Sequence, residues 1–238
     1  MVINPLGIYL RRRHFVLWHK KPFCDFAEIS KVRYNDCLAL EGIMQLTQII
    51  RQKVFIRNFV LATSIFFVSL VIGTLIGQNT IEGLMKQFGV VLKPLASTGN
   101  PSILLFLIIF INNAIKALGL VFLGILLGVP PLLFIGLNGF ILGGLGSALE
   151  SVKGWRYVIA SFVPHGVLEI PVILLATALG LTVGMESLKW LVRRESRVKL
   201  QLSDCLKVYL RWILPGLAVA AIIEAFVTPL LIGLVNAG

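Results

Sequence analysis

Charged side chains are scarce in this sequence of 238 residues, only 14% of which are Asp, Glu, Lys or Arg. Hydrophobic residues make up 57% of the chain, and the mean hydropathy is +0.91. A soluble domain needs a polar surface that this composition does not supply, whereas apolar runs of about 18 or more residues can cross a bilayer. The sequence therefore predicts an all-α polytopic membrane protein built as one bundle of helices.

The motifs of common soluble enzymes and metal proteins are also missing. There is no P-loop, no dinucleotide fingerprint, no G-x-S-x-G turn and no H-E-x-x-H pair. The three cysteines, Cys24, Cys37 and Cys205, show no C-x-x-C spacing, so free thiols are expected. The sequence therefore predicts no cofactor, no catalytic residue and no strong metal site.

Long apolar runs divide the chain into five predicted transmembrane spans, at about 58–78, 101–128, 132–150, 157–185 and 212–235. Residues 1–57 form a basic segment that ends in a predicted amphipathic helix from about Leu38. The loop 79–100 is predicted to hold a short interfacial helix, and the polar block 186–211 an amphipathic surface helix.

The distribution of basic residues predicts the orientation of these spans. Ten Lys and Arg residues lie in 1–57 and seven in 186–211, so 17 of the 22 flank the spans, and the net charge is +11. Four spans separate the two segments, so both can face the cytoplasm. We therefore expect a multi-pass plasma-membrane protein with a cytoplasmic N-terminus and an outside C-terminus. Lipid headgroups explain the basic charge, and no nucleic acid partner is expected.

Seven polar side chains inside the spans are candidate functional residues: Asn112, Asn113, Lys116, Asn138, His165, Glu169 and Glu224. Ionisable groups at this depth usually face the bundle interior. The helical rise of about 1.5 Å per residue brings several of them to mid-membrane, and four-residue spacings put His165 with Glu169 and Asn112 with Lys116 on shared faces. We therefore predict one buried cluster near the bilayer midplane.

Backbone-breaking residues beside this cluster predict an interrupted fourth span. Pro164, Gly166 and Pro171 are expected to break the helix and free backbone groups to line a cavity. Three interpretations stay open: a structural polar core, an ion or proton pathway, and a metal-dependent enzyme. For the third, His165, Glu169 and Glu224 are weak candidate metal ligands.

Paired glycines at four-residue spacing predict close helix packing. The pairs are Gly73 with Gly77, Gly124 with Gly128, and Gly139 with Gly143. They offer more small faces than five helices need, which favours a homo-oligomer. The alternative is that these glycines pack helices within one chain.

Three stretches of the sequence resemble the stage II sporulation protein M family: NNAIKALGLVFLGILLGVPPLLFIGLNGFILG, VPHGVLEIP and AAIIEAFVTP. The resemblance covers about residues 58–238. The units that carry it are Asn112-Asn113, Asn138-Gly139, Pro164-His165-Gly166 with Glu169, and Glu224 with Thr228-Pro229. It implies an all-helical, polytopic membrane protein.

The resemblance also implies a role. In endospore-forming bacteria the namesake of the family assembles with cell-wall-degrading partners at the septal membrane, as a scaffold and not as the hydrolase. For this chain it implies a non-catalytic scaffold for envelope-remodelling or other membrane proteins, with no catalytic role for His165 or Glu169. Relatives in non-sporulating bacteria and in archaea limit the transfer of the process itself. The alternative of a proton- or ion-coupled channel or transporter stays open.

Overall fold

The computed structural model describes residues 53–96, 103–194 and 197–237, except for the side chains at 77–96, 165, 236 and 237. Most of the predicted N-terminal segment 1–57 lies outside this part. The described chain is helical, which confirms the predicted all-α class. Its helices are α1 (Lys53–Ala96), α2 (Ile103–Leu123), α3 (Val129–Arg193), α4 (Val198–Val208), α5 (Leu214–Ile222) and α6 (Thr228–Ala237).

Five helical stretches are long and apolar enough to cross a membrane: Lys53–Ile76, Ile103–Leu123, Val129–Pro164, Gly166–Arg193 and Val198–Val235. This number confirms the predicted polytopic bundle. The first stretch belongs to a helix that continues through Ala96, where the sequence predicted a loop. The predicted surface helix in 186–211 is divided instead, because α3 ends at Arg193 and α4 begins at Val198.

Helix α3 carries the third and fourth spans, which meet at a kink. Inside α3 the backbone departs from helical angles at Gly154, with φ 77° and ψ 168°. Leu142 and Phe162 line one cavity together with Ile135 and Ile173, so the two spans run back along each other from this kink. Glycine adopts a positive φ at little cost, which explains why the polar stretch predicted as a turn bends there.

The predicted break in the fourth span does not occur. The helix is continuous through Pro164, Gly166 and Pro171. A transmembrane helix tolerates proline because neighbouring helices and local adjustments satisfy the freed backbone groups. The two prolines that open α3, Pro130 and Pro131, sit in its first turn, where a missing N–H is not needed.

The last span contains two wide π-helical turns, at Tyr209–Ile213 and Ile223–Val227. Each precedes a proline, Pro215 or Pro229, whose ring excludes an ordinary hydrogen bond to the carbonyl four residues earlier. The amide of Leu214 donates instead to the carbonyl of Tyr209, and that of Thr228 to the carbonyl of Ile223. Glu224 therefore sits in a locally widened helix.

Glycines let the first and third spans approach at backbone contact. A Cβ on Gly139 or Gly143 would clash with the carbonyl of Phe66 or Leu70, and one on Gly73 with the carbonyl of Phe140. The residue numbers of the contacts increase in the same direction along both helices, from Phe66 with Gly139 to Leu70 with Gly143. The two spans are therefore parallel, as alternate crossings of a membrane must be.

A second glycine crossing joins the second and fourth spans. A Cβ on Gly124 would clash with the carbonyl of Gly180, and one on Gly184 with the backbone of Gly128. Gly180 faces Leu120 in the same way, so these spans are also parallel. The described glycines of the three predicted pairs therefore pack within one chain. They no longer support an oligomer, which stays a prediction on other grounds.

Candidate functional site

A cavity of about 160 Å³ lies between the first, third and fourth spans. Its polar lining comes from Asn138 and Glu169, and its other walls are Phe66, Ile135, Leu142, Phe162, Gly166, Ile170 and Ile173. Polar groups in a cavity of this size can hold several water molecules, since one water needs about 30 Å³ in the liquid. The structure thus brings two of the predicted residues together at a space that can be hydrated.

The continuous helix through Pro164 and Pro171 positions the carboxylate at this cavity. Glu169 is half-buried, and Asn138 opposite it is half-buried too. His165 lies one turn before Glu169 on the same helix, and its side chain lies outside the described residues. The predicted meeting of His165, Glu169 and Glu224 therefore stays a prediction.

The remaining candidate residues form a second group, where α2 meets the last span. Asn112 donates a hydrogen bond from Nδ2 to Oδ1 of Asn113, over 3.4 Å, and Asn113 is only 7% exposed. Glu224 is half-buried, and the charge of Lys116 acts on it electrostatically. Nearby, the Tyr209 hydroxyl donates to a backbone carbonyl of α2 over 3.0 Å. This group therefore has both charges and amides at one helix contact.

Asn112 and Lys116 lie on the exposed side of α2, contrary to the predicted burial. Helical rise fixes the depth of a residue in a span, whereas the packing of the neighbouring helices fixes which side of the helix faces the bundle. Here Asn113 and Ala117 take the buried side of α2. Asn112 and Lys116, which precede them in sequence, are therefore turned outward.

One buried polar contact joins spans that the sequence analysis did not connect. Nδ2 of Asn58, in α1, donates to Oγ1 of Thr182, in the fourth span, over 3.2 Å, and both residues are at most 3% exposed. The Thr182 hydroxyl in turn donates to the Ala178 carbonyl over 2.8 Å. The sequence offered one signal for this contact, because Asn58 opens an apolar run. An amide at that position also fits the membrane surface, so the sequence did not predict its burial.

No three His, Cys, Asp or Glu side chains within the described part of the chain are close enough together to hold a metal ion. The proposed ligand set contains His165, whose side chain is not among those described, so this finding does not test that set. The structure therefore offers two candidate sites. One has a carboxylate and an amide at an internal cavity, and the other has an ammonium and an amide on the outer face of α2.

Comparison with known proteins identifies a family. The family model described as stage II sporulation protein M matches residues 59–229. No protein with a curated description matches the chain, and no solved structure matches it either. The matched region includes every candidate residue of the two candidate sites.

Proposed function

The chain belongs to the stage II sporulation protein M family, and on that premise we propose that it is a non-catalytic membrane scaffold that holds other proteins during envelope remodelling. The single observation that carries the proposal is the outward position of Lys116 and Asn112 on α2. A transporter uses polar groups inside its bundle, whereas a scaffold uses them on the surface that other helices contact.

The energetic argument starts from the medium around α2. A charged side chain at mid-membrane costs at least about 2.5 kcal/mol on insertion scales when no polar partner compensates it. In the described part of the chain, Lys116 makes no hydrogen bond or ion pair within 4.0 Å and only a longer-range attraction to Glu224, and Asn112 has a single bond, to Asn113. A protein surface that supplies an acceptor at this depth removes much of that cost. The outer face of α2 is therefore suited to bind a protein helix.

The test compares retention of membrane partners by wild-type protein and by Lys116→Leu, with Ile111→Leu as a control at another exposed position of α2. All three proteins are purified in gentle detergent from isotope-labelled cells, and the amounts of co-purifying envelope proteins are compared between them. We expect Lys116→Leu to lose specific partners and the control to keep them. Equal retention in both variants would contradict the scaffold proposal.

A second candidate function, a proton- or ion-coupled channel or transporter, is favoured by the cavity that Asn138 and Glu169 share. Proteoliposomes loaded with pH- and cation-sensitive dyes distinguish it from a scaffold. A transporter loses flux in Glu169→Gln while its fold survives. A scaffold shows no flux above protein-free vesicles. Reproducible flux that Glu169→Gln abolishes would replace the scaffold proposal with this one.

A further inference from the structure

The exposed face of α2 carries a regular stripe of four residues: Ile108, Asn112, Ile115 and Gly119. Their spacing of four, three and four residues is the heptad spacing with which two parallel helices pack. Ile115 is 65% exposed, and Ile108 is 37% exposed. A Cβ added to Gly119 would meet nothing within 4 Å. Unlike the glycines of the two crossings, Gly119 is not needed for packing inside the chain.

Lys116 lies one turn after Asn112, nearer the C-terminal end of α2 than its N-terminal end. Lys116 lies 7 residues before the end of α2 at Leu123 and 13 after its start at Ile103, which is about 10 Å and about 20 Å along the helix. Side chains on a helix lean toward its N-terminus. To reach the nearer membrane surface, the Lys116 side chain would therefore have to point against this direction. The electrostatic reach of Lys116 to Glu224 agrees with an ammonium that stays at depth.

We propose that the stripe Ile108–Asn112–Ile115–Gly119 binds the same stripe of a second copy of this chain, forming a two-fold dimer inside the membrane. Both copies insert in the same direction, so the two-fold axis lies along the membrane normal and the two α2 helices run parallel. Residues of equal depth then face each other. Asn112 meets the second copy's Asn112, an amide pair that can exchange hydrogen bonds across the axis.

The charges of the two copies are compatible with this arrangement. Asn112 lies four residues before Lys116, about 6 Å nearer the N-terminus of α2. The ammonium of each copy is therefore carried to the depth of the second copy's Asn112 carbonyl oxygen, which accepts a hydrogen bond. Each copy also brings Glu224, so association joins two pairs of opposite charge and adds no net charge. Each polar site is thus completed by a residue of the other copy.

The other possible occupants of the stripe are less favoured. A lipid tail has no hydrogen-bond acceptor for Lys116 or Asn112, and a foreign helix would have to supply both a matching amide and the same spacing. A second copy supplies both by symmetry. The proposal rests on the proposed function in one respect, because both require the outer face of α2 to contact protein.

The experiment measures Förster transfer between donor- and acceptor-labelled full-length protein in liposomes, as the protein-to-lipid ratio is diluted. We expect wild type to dimerise, Asn112→Leu to weaken the dimer by about threefold to thirtyfold, and Gly119→Leu to abolish it. Gly146→Leu is the matched control, since a Cβ at Gly146 also meets nothing within 4 Å but lies on the third span. It should dimerise like wild type. Unfolding in detergent checks that each variant is folded.

Monomeric wild-type protein at every dilution would overturn the dimer, as would a Gly119→Leu variant that dimerises like wild type. These outcomes separate the dimer from the scaffold. A monomer whose Lys116→Leu variant still loses envelope partners would leave the scaffold standing and assign the stripe to a foreign helix. A dimer that conducts ions would leave the dimer standing and refute the scaffold.

Discussion

The glycine crossing between the second and fourth spans predicts a large and position-specific loss of stability. In Gly180→Ala the new Cβ would lie 3.0 Å from the carbonyl carbon of Leu120 and 3.1 Å from Cγ of Pro131, and it would clash with the Leu120 carbonyl oxygen. Carbon atoms pack best at about 3.5 to 4.0 Å. Because backbone atoms of a helix cannot move aside alone, the two helices must separate by about 1 Å.

This separation sets the size of the effect. A gap of about 0.5 to 1 Å removes a quarter to a half of each van der Waals contact along the crossing. Overpacking of a close-packed core generally costs about 1 to 3 kcal/mol. The higher helix propensity of alanine does not offset this cost, because the helices of a membrane protein are formed before they associate. We expect Gly180→Ala to lower the free energy of unfolding by about 2 to 3 kcal/mol.

The assay is reversible unfolding of the purified protein in mixed micelles by increasing SDS, followed by tryptophan fluorescence. The matched control is Gly146→Ala, which lies in the same helix and would meet nothing within 4 Å. It should stay within about 0.5 kcal/mol of wild type. A Gly180→Ala protein as stable as the control would refute the close crossing of the two spans.

Three further predictions follow from single contacts and from charge. In a double-mutant cycle, Asn58→Leu and Thr182→Val should show a coupling free energy of about 0.6 to 1.7 kcal/mol in SDS unfolding, and additive effects would mean that the 3.2 Å hydrogen bond contributes nothing. Tyr209→Phe should cost about 1 kcal/mol in the same assay, since it removes the bond to the Ala114 carbonyl, and an unchanged midpoint would contradict that bond. An alkaline phosphatase fusion after Gly238 should be active, because the basic segments predict that the C-terminus lies outside. If that fusion is inactive, while a reporter that works only in the cytoplasm is active at the same position, the prediction is wrong.

The helical fold and the number of spans were predictable from the sequence, because hydropathy over a span is a sum that single residues hardly change. The effect of the prolines was not. Pro164 and Pro171 leave the fourth span continuous, whereas the bend comes at Gly154, in a polar stretch that offered a turn but no particular residue for it. In a membrane, the surroundings of a proline decide whether it breaks a helix.

The position of a residue along a span follows from the sequence, whereas its rotation about the helix axis does not. Asn112 and Asn113 are adjacent in sequence and lie at nearly the same depth, yet one is exposed and the other buried. The glycines show the same limit. Gly124 and Gly119 both fit a small packing face, but Gly124 meets Gly180 within the chain while Gly119 faces open space. Only the positions of the neighbouring helices separate the two cases.

The two glycine crossings explain why polar groups remain on the outside of this bundle. They join the first span to the third and the second to the fourth, and the last helices pack on the same core. The fourth span and the Tyr209 contact cover one side of α2. The neighbouring side, with Asn112 and Lys116, stays exposed in the described part of the chain, although the charge of Lys116 acts on Glu224 of the last span. The same packing that closes the core therefore leaves one amide and one ammonium exposed on the second span, and we propose that another protein helix, not lipid, supplies their partners.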